Sequence, residues 1–304
     1  MLLCDQYITA RSLDEAFDAM EAYRGRHRLI AGATDTYPWA REGRAGDVHI
    51  PTLIDIGRIP ELNARNASGA RVRLGAMTAV QRFLDDDMLA RTMPALPRCA
   101  VWFADDQIRE LATVGGNIVN ASPAADVTPC LMAHDGVVEL ASRQEGKIVR
   151  RSVKLDEFIT GPGKTGLEDN EILVAVECDV LPGYGGSFEK VGHRRSLVIS
   201  VVCLATAVKL DPAGRIFEDV RMCIAGTRPV PKRIVEIEDA LRGKAVSADL
   251  IEHVAGQASD LVQSRTRQEY RRDVTRGFIV RGLMSAVKRA GSSALTPELE
   301  AAYA

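Results

Sequence analysis

Residues 112–133 read ATVGGNIVNASPAADVTPCLMA. A strand-like run ends in Gly115-Gly116, and a polar residue, Asn117, follows. Glycine has no Cβ, so backbone N–H groups there can close on an anion. Hydroxyls at Thr113 and Ser122 and the amide of Asn117 add donors. Upstream, LIAGATDT (29–36) has the same character, with Gly32 in the turn and hydroxyls at Thr34 and Thr36. Two such turns could clamp a pyrophosphate between them. Neither matches G-x-G-x-x-G, so a Rossmann site is disfavoured. Read alone, either turn is explained more readily as an ordinary tight turn.

Outward from these turns the chain alternates short apolar runs with breaks. Ser12 and Glu15 make a capping box for a helix over 12–24. Strands are expected at 27–31, 51–56 and 71–76, with Thr78 capping a helix over 79–85. A longer apolar helix is read over 88–103 despite Pro94 and Pro97. A helix ends near Ala133, 137–141 and 148–152 form a hairpin, 160–166 is a loop and 172–180 is a strand. Leu181-Pro182-Gly183-Tyr184-Gly185-Gly186 is the best domain boundary, because Pro and Gly break both periodic structures. Beyond it strands are read at 187–191, 198–210 and 217–223, then helices at 231–241, 248–264 and 268–289. The chain is thus divided into 1–180 (subdomains about 1–57 and 58–180), 181–290, and a flexible tail, 291–304.

At 304 residues, 46% apolar and 26% charged, the chain is of ordinary globular composition. A net charge of −2 provides no basic field for nucleic acid. No apolar run approaches the roughly 18 residues of a membrane span, and the N-terminus lacks a signal-peptide core, so a cytoplasmic protein is expected. The six cysteines form no CxxC and no cluster-binding loop; they read as buried reduced thiols. The five histidines have no metal spacing. Gly161-Pro-Gly-Lys-Thr-Gly166 imitates a phosphate loop, but Phe158 stands where that motif requires glycine. No nucleophile–base set emerges. If the protein is an enzyme, a bound cofactor carries the chemistry.

The order of the pieces carries a resemblance. AGATDTYPW (31–39), PTLIDIGRIPEL (51–62), RLGAMTAV (73–80), ATVGGNIVNASPAADVTPCLMA (112–133), NEILVAVEC (170–178), FEKVGHRRS (188–196) and YRRDVTRGFIVRGL (270–283) run co-linearly over about residues 1–285. The sequence closely resembles the FAD-binding medium subunit of the molybdenum hydroxylases, the group of xanthine, carbon monoxide and nicotinate dehydrogenases. That implies an α+β chain, with a two-subdomain FAD-binding fold of the vanillyl-alcohol-oxidase/PCMH type. A C-terminal α+β domain like that of the carbon monoxide dehydrogenase flavoprotein follows.

The resemblance further implies an oxidoreductase subunit with no catalytic side chain and no metal of its own. Its FAD would take electrons from two [2Fe–2S] clusters in a small partner subunit and pass them to NAD or another acceptor. A large partner with molybdopterin would hydroxylate a purine or other N-heterocycle, the whole being a dimer of heterotrimers. Leu29, Ile30, Ala31, Gly32, Ala33, Thr34, Asp35 and Thr36 match the first flavin turn. Thr113, Val114, Gly115, Gly116 and Asn117 match the second, with Ser122 in the element that follows. Asp126 matches an acid bonded to FAD, Phe103 of the Trp102-Phe103 pair an aromatic against the flavin, Leu173 a strand residue whose backbone meets the cofactor, and Lys190 a lysine near it. Two departures stand out. Ala33 replaces the usual second glycine, which costs on the order of 1 kcal/mol if φ is positive there. Tyr37-Pro38-Trp39 is bulkier than expected, which marks a surface for a partner, as do Arg271, Arg272 and Arg276. Two rivals remain: a stand-alone FAD oxidase or reductase, and a non-enzymatic nucleotide-binding scaffold.

Overall fold

A computed structural model describes residues 1–194, 198–264, 266–292 and 294. The chain begins with a small parallel sheet in the order β1 (Gln6–Thr9), β3 (Thr52–Asp55), β2 (His27–Ile30). The helix Leu13–Ala22 crosses from β1 to β2. Ser12 Oγ accepts the Glu15 N–H, and Glu15 Oε2 reaches back to the Arg11 N–H, so the capping box forms with its return bond one residue early. Phe17 and Met20 bury that helix against Ile54, Ile56 and Val174.

β4 (Arg65–Ser68), β5 (Arg71–Gly75), β6 (Val137–Gln144) and β7 (Lys147–Lys154) come next. A short hairpin, β8 (Ile159–Gly161) with β9 (Lys164–Thr165), and β10 (Glu171–Asp179) follow. They build an antiparallel sheet ordered β4-β5-β10-β6-β7, with β8 and β9 pairing separately. Between β5 and β6 the chain is helical. The helix expected over 79–85 shrinks to Arg82–Asp85, since Ala79 is held in a bridge to Thr113; Thr78 Oγ1 caps nothing. The helix expected over 88–103 is two, Asp87–Thr92 and Leu96–Trp102. Pro94 lacks an N–H and bars the residue before it from helical ψ, while Pro97 is tolerated in the first turn of the second helix. Asp105 caps Asp106–Leu111 by accepting the Ile108 N–H.

The C-terminal sheet runs β11 (Gly185–Val191), β12 (Val202–Leu210), β13 (Phe217–Ala225), β14 (Lys232–Arg233), all antiparallel. Alternate residues go to opposite faces. Leu204, Val208, Met222 and Ile224 pack under the helices Val235–Leu241, Ala248–Gly256 and Gln268–Arg289. Cys203, Ala205, Cys223 and Ala225 join the core of the preceding sheet and its helices. Both faces are covered, which is why these strands read as continuous apolar runs rather than alternating ones. The five cysteines from Cys99 onward are buried and free, and Cys4 is exposed. Burial pushes the five buried thiols up, keeping them neutral. The tail expected to be flexible lies outside the described residues except for 291, 292 and 294.

Candidate functional site

The two sequence turns meet across a cleft of about 590 Å³, where the parallel sheet abuts the second sheet. Gly32 is the joint. A Cβ there would lie 1.7 Å from the Leu111 carbonyl oxygen and 3.3 Å from the Ala112 nitrogen, so only glycine lets the first turn sit against the strip leading to the second. Leu29, Ala31, Gly32, Ala33, Thr34, Asp35 and Thr36 line one wall; Phe103, Thr113, Gly115, Gly116, Asn117 and Leu173 line the other. Ile30 faces away, into a small cluster with Ile50 and Leu53. Val114 points into the main core. Ser122 is spent on the Ala124 N–H and also lies off the cleft wall.

The two turns do different work. Val114 N–H donates to Thr78 O (2.9 Å) and Gly115 N–H to Ala76 O (2.7 Å). Gly116 N–H donates to Thr113 Oγ1 (3.0 Å) and Asn117 N–H to Thr113 O (2.9 Å). The second turn is therefore the closed first turn of a helix, Val114–Asn120, and its backbone donors are already used, contrary to the expectation that they would face an anion. Gly115 is there because a Cβ would fall 2.7 Å from that of Ala76. The first turn is the reverse case. Among the described residues, the backbone N–H groups of 32–36 donate to no protein acceptor. They sit at the start of the helix Thr36–Arg41, in a segment to which the sequence assigned no helix. Ala33 takes φ 56°, the left-handed value that glycine would occupy freely. Asp35, tied to Asn120 Nδ2 at 3.1 Å, has its carboxyl raised by burial. Such a run of open donors fits the pyrophosphate of a dinucleotide.

Leu173 reaches the cleft through a bulge. β10 skips a residue against β6 between Leu173 and Ala175, and the carbonyl of Val174, the extra residue, accepts the Ala76 N–H at 2.8 Å. The imitation phosphate loop also belongs to the site: Gly163, Thr165, Leu167, Glu168 and Asp169 form the far rim, and sequence reasoning missed them.

Asp126 and Lys190 are not on the cleft wall. They pair with each other, with side chains 9% and 3% exposed; Ser200 Oγ donates to the same carboxylate, and Lys190 also donates to the Trp102 carbonyl at 3.2 Å. Burial raises the Asp126 carboxyl against the pull of Lys190 and Ser200. The pair braces the segment that carries Phe103 to the cleft. Trp39 lines the cleft, whereas Tyr37 is exposed. Arg271 is spent on the carbonyls of Val201 and Gly226, leaving Arg272 and Arg276 exposed. Among the described residues no three His, Cys, Asp or Glu are grouped to hold a metal, and no helix is long and apolar enough to cross a membrane.

Residues 3–178 match the family described as the FAD binding domain in molybdopterin dehydrogenase, and 187–286 match the CO dehydrogenase flavoprotein C-terminal domain. The glyceraldehyde dehydrogenase medium chain of Sulfolobus acidocaldarius is 30% identical over 274 residues, 89% of this chain and 94% of that one. The carbon monoxide dehydrogenase medium chain of Hydrogenophaga pseudoflava is 28% identical, covering 83% and 85%. A solved carbon monoxide dehydrogenase from Hydrogenophaga pseudoflava superimposes with a TM-score of 0.85 at 25% identity, over 95% of this chain and 99% of that one. The chain has the α+β, two-subdomain FAD-binding fold with a CO-dehydrogenase-type C-terminal domain, and it belongs to the FAD-binding medium subunits of the molybdenum hydroxylases, an oxidoreductase family.

Proposed function

We propose that this chain is the electron-transfer flavoprotein of a three-subunit hydroxylase. It would receive electrons from the [2Fe–2S] clusters of a small subunit and deliver them to NAD or another acceptor. The carrying observation is the row of open N–H donors at 32–36 facing a cleft whose opposite wall is already closed by its own hydrogen bonds. In this reading residues 32–36 hold the pyrophosphate, Phe103 lies against the flavin ring, Leu173 meets the cofactor through its backbone, and Asp126 and Lys190 act by bracing Trp102-Phe103. FAD, when bound, supplies a centre that accepts and releases electrons; the chain positions it and needs no acid or base. We further assign 1–180 as the flavin domain, divided near 57, and 181–290 as the C-terminal domain. The large subunit would carry molybdopterin and act on a purine or other N-heterocycle within a cytoplasmic dimer of heterotrimers.

The test is purification alone and with the two partner subunits. Alone, the chain is expected to show a flavin spectrum and no acid-labile sulfide. Together, the three are expected to co-elute and to reduce NAD with an N-heterocyclic substrate. A monomer that oxidises an organic substrate at full rate would establish the stand-alone rival, and a colourless chain indifferent to FAD the scaffold.

A further inference from the structure

Phe103 leaves the helix Leu96–Trp102 by a sharp reversal of the backbone, and its ring enters the cleft from there. We propose that Arg109 is a positioning residue for the flavin: it grips that reversal and fixes how the Phe103 ring presents to the cofactor. The inference rests on the flavin reading above and names the residue that holds its aromatic contact in place.

The reversal is made by Ala104, which takes φ 45°, the left-handed value found just past many helix ends and usually filled by glycine. An alanine stays there only where its surroundings hold it. Two cations from different elements do so. Lys190 takes the Trp102 carbonyl. Arg109, from the helix Asp106–Leu111, takes the next two: one terminal nitrogen donates to Phe103 O at 2.9 Å and to Ala104 O at 3.5 Å. Its Nε donates to Gln81 Oε1 at 2.9 Å, and the other terminal nitrogen pairs with Asp106. All three guanidinium nitrogens are thus engaged, and Arg109 is 8% exposed. The Asp106 side chain is 88% exposed, so water screens that pair, and the grip on the two carbonyls is what distinguishes this buried cation.

The backbone around Arg109 is fixed in turn. Gln81 N–H donates to the Arg109 carbonyl at 3.1 Å, and Val80 N–H to the Ala112 carbonyl at 2.9 Å. The strip 109–112 is the one that Gly32 abuts and that leads into Thr113. Arg109 therefore ties the aromatic wall of the cleft to its rigid joint. A lysine, with one nitrogen on a flexible stem, cannot serve Gln81, both carbonyls and Asp106 together.

The experiment measures FAD affinity of the full-length apoprotein and the visible circular dichroism of the bound flavin, which reports the asymmetry around its ring. Arg109→Lys and Phe103→Leu are made singly and together. Each single variant should weaken FAD at least about fivefold and shift the flavin dichroism, with the far-ultraviolet dichroism unchanged. In the Phe103→Leu background, Arg109→Lys should alter FAD affinity by less than about twofold, because the ring it positions is gone. Gln81→Met removes one anchor of the guanidinium and neither carbonyl contact, so it keeps the test open if Arg109→Lys does not fold. It should weaken FAD about threefold with the Phe103 ring present and leave it unchanged without that ring. Losses that are equal with and without the ring would make Arg109 a merely structural residue and overturn the proposal, as would an Arg109→Lys variant whose flavin dichroism matches the wild type. Wild-type chain that takes up no FAD, or Phe103→Leu that binds it unchanged, would overturn the flavin reading and the proposal with it.

Discussion

A methyl group at Gly32 meets backbone, whereas at Gly116 it meets only the Thr113 hydroxyl, 2.9 Å away. The two glycines should fail differently. Gly32→Ala forces the sheets apart and should lower the melting temperature of the apoprotein. Gly116→Val leaves the fold standing and crowds the cleft, so circular dichroism should be unchanged while bound FAD is lost; stoichiometric FAD in that variant would refute the site. Ala33→Gly removes the left-handed strain against a small gain in unfolded-chain entropy. It should raise stability by up to about 1 kcal/mol in denaturant titration. His134 is fully buried; its Nδ1–H donates to the Asp179 carbonyl, and its Nε2 has no partner among the described residues. Burial lowers it from 6.5 to about 4. The folded state therefore binds fewer protons than the unfolded one between those values, so this contribution is complete above 6.5 and drains away as pH falls toward 4. Stability should drop by roughly 2 kcal/mol between pH 7.5 and 5 through this residue. His134→Gln, which keeps the donor, should flatten the wild-type slope by that amount.

At the scale of elements, what the sequence revealed depended on how local the cause was. The Ser12 cap, the hairpin β6–β7 and the helix Gln268–Arg289 were legible because each is specified by its own residues. The helix Thr36–Arg41 was not, because Pro38 and the polar residues after it read as loop and its first turn is held by the sheet junction. β4 is exposed throughout and has no apolar alternation to betray it. The family pattern placed Asp126 and Lys190 near the cofactor, but a motif cannot tell a ligand from a brace, and here each neutralises the other. Lys190→Met should strand a buried carboxylate and lower stability by about 3–5 kcal/mol. The double variant Lys190→Met with Asp126→Leu should recover at least half of that. If the double loses as much as the single, the pair is not the brace described.

The whole molecule is more continuous than its linker implies. Phe188, Cys203, Ala205, Cys223 and Ala225, all beyond residue 186, belong to the same core as Leu74, Leu96 and Cys130. A fragment ending at Gly183 would expose that face. It should be insoluble or molten by near-ultraviolet circular dichroism and should retain little FAD; a soluble, stoichiometrically yellow fragment would disprove the dependence. The positions of the main strands were partly visible beforehand, as was the Pro-Gly break between them. The sharing of one core across that break was not, because it rests on which face of β12 and β13 each residue takes.

Gly185 and Gly186 fall in the stretch read as a domain boundary, yet a Cβ on the first would lie 2.0 Å from the Ala286 carbonyl oxygen and on the second 2.2 Å from the Pro94 carbonyl carbon. They are keystones, and that matters for recombination. A chimera joining the front of one medium subunit to the back of another inherits its fit from two foreign backbones closing on this pair. Crossovers placed between 182 and 184 should succeed only when the Pro94 and Ala286 segments come from parents of matching shape, so the natural unit of exchange among these subunits is the whole chain.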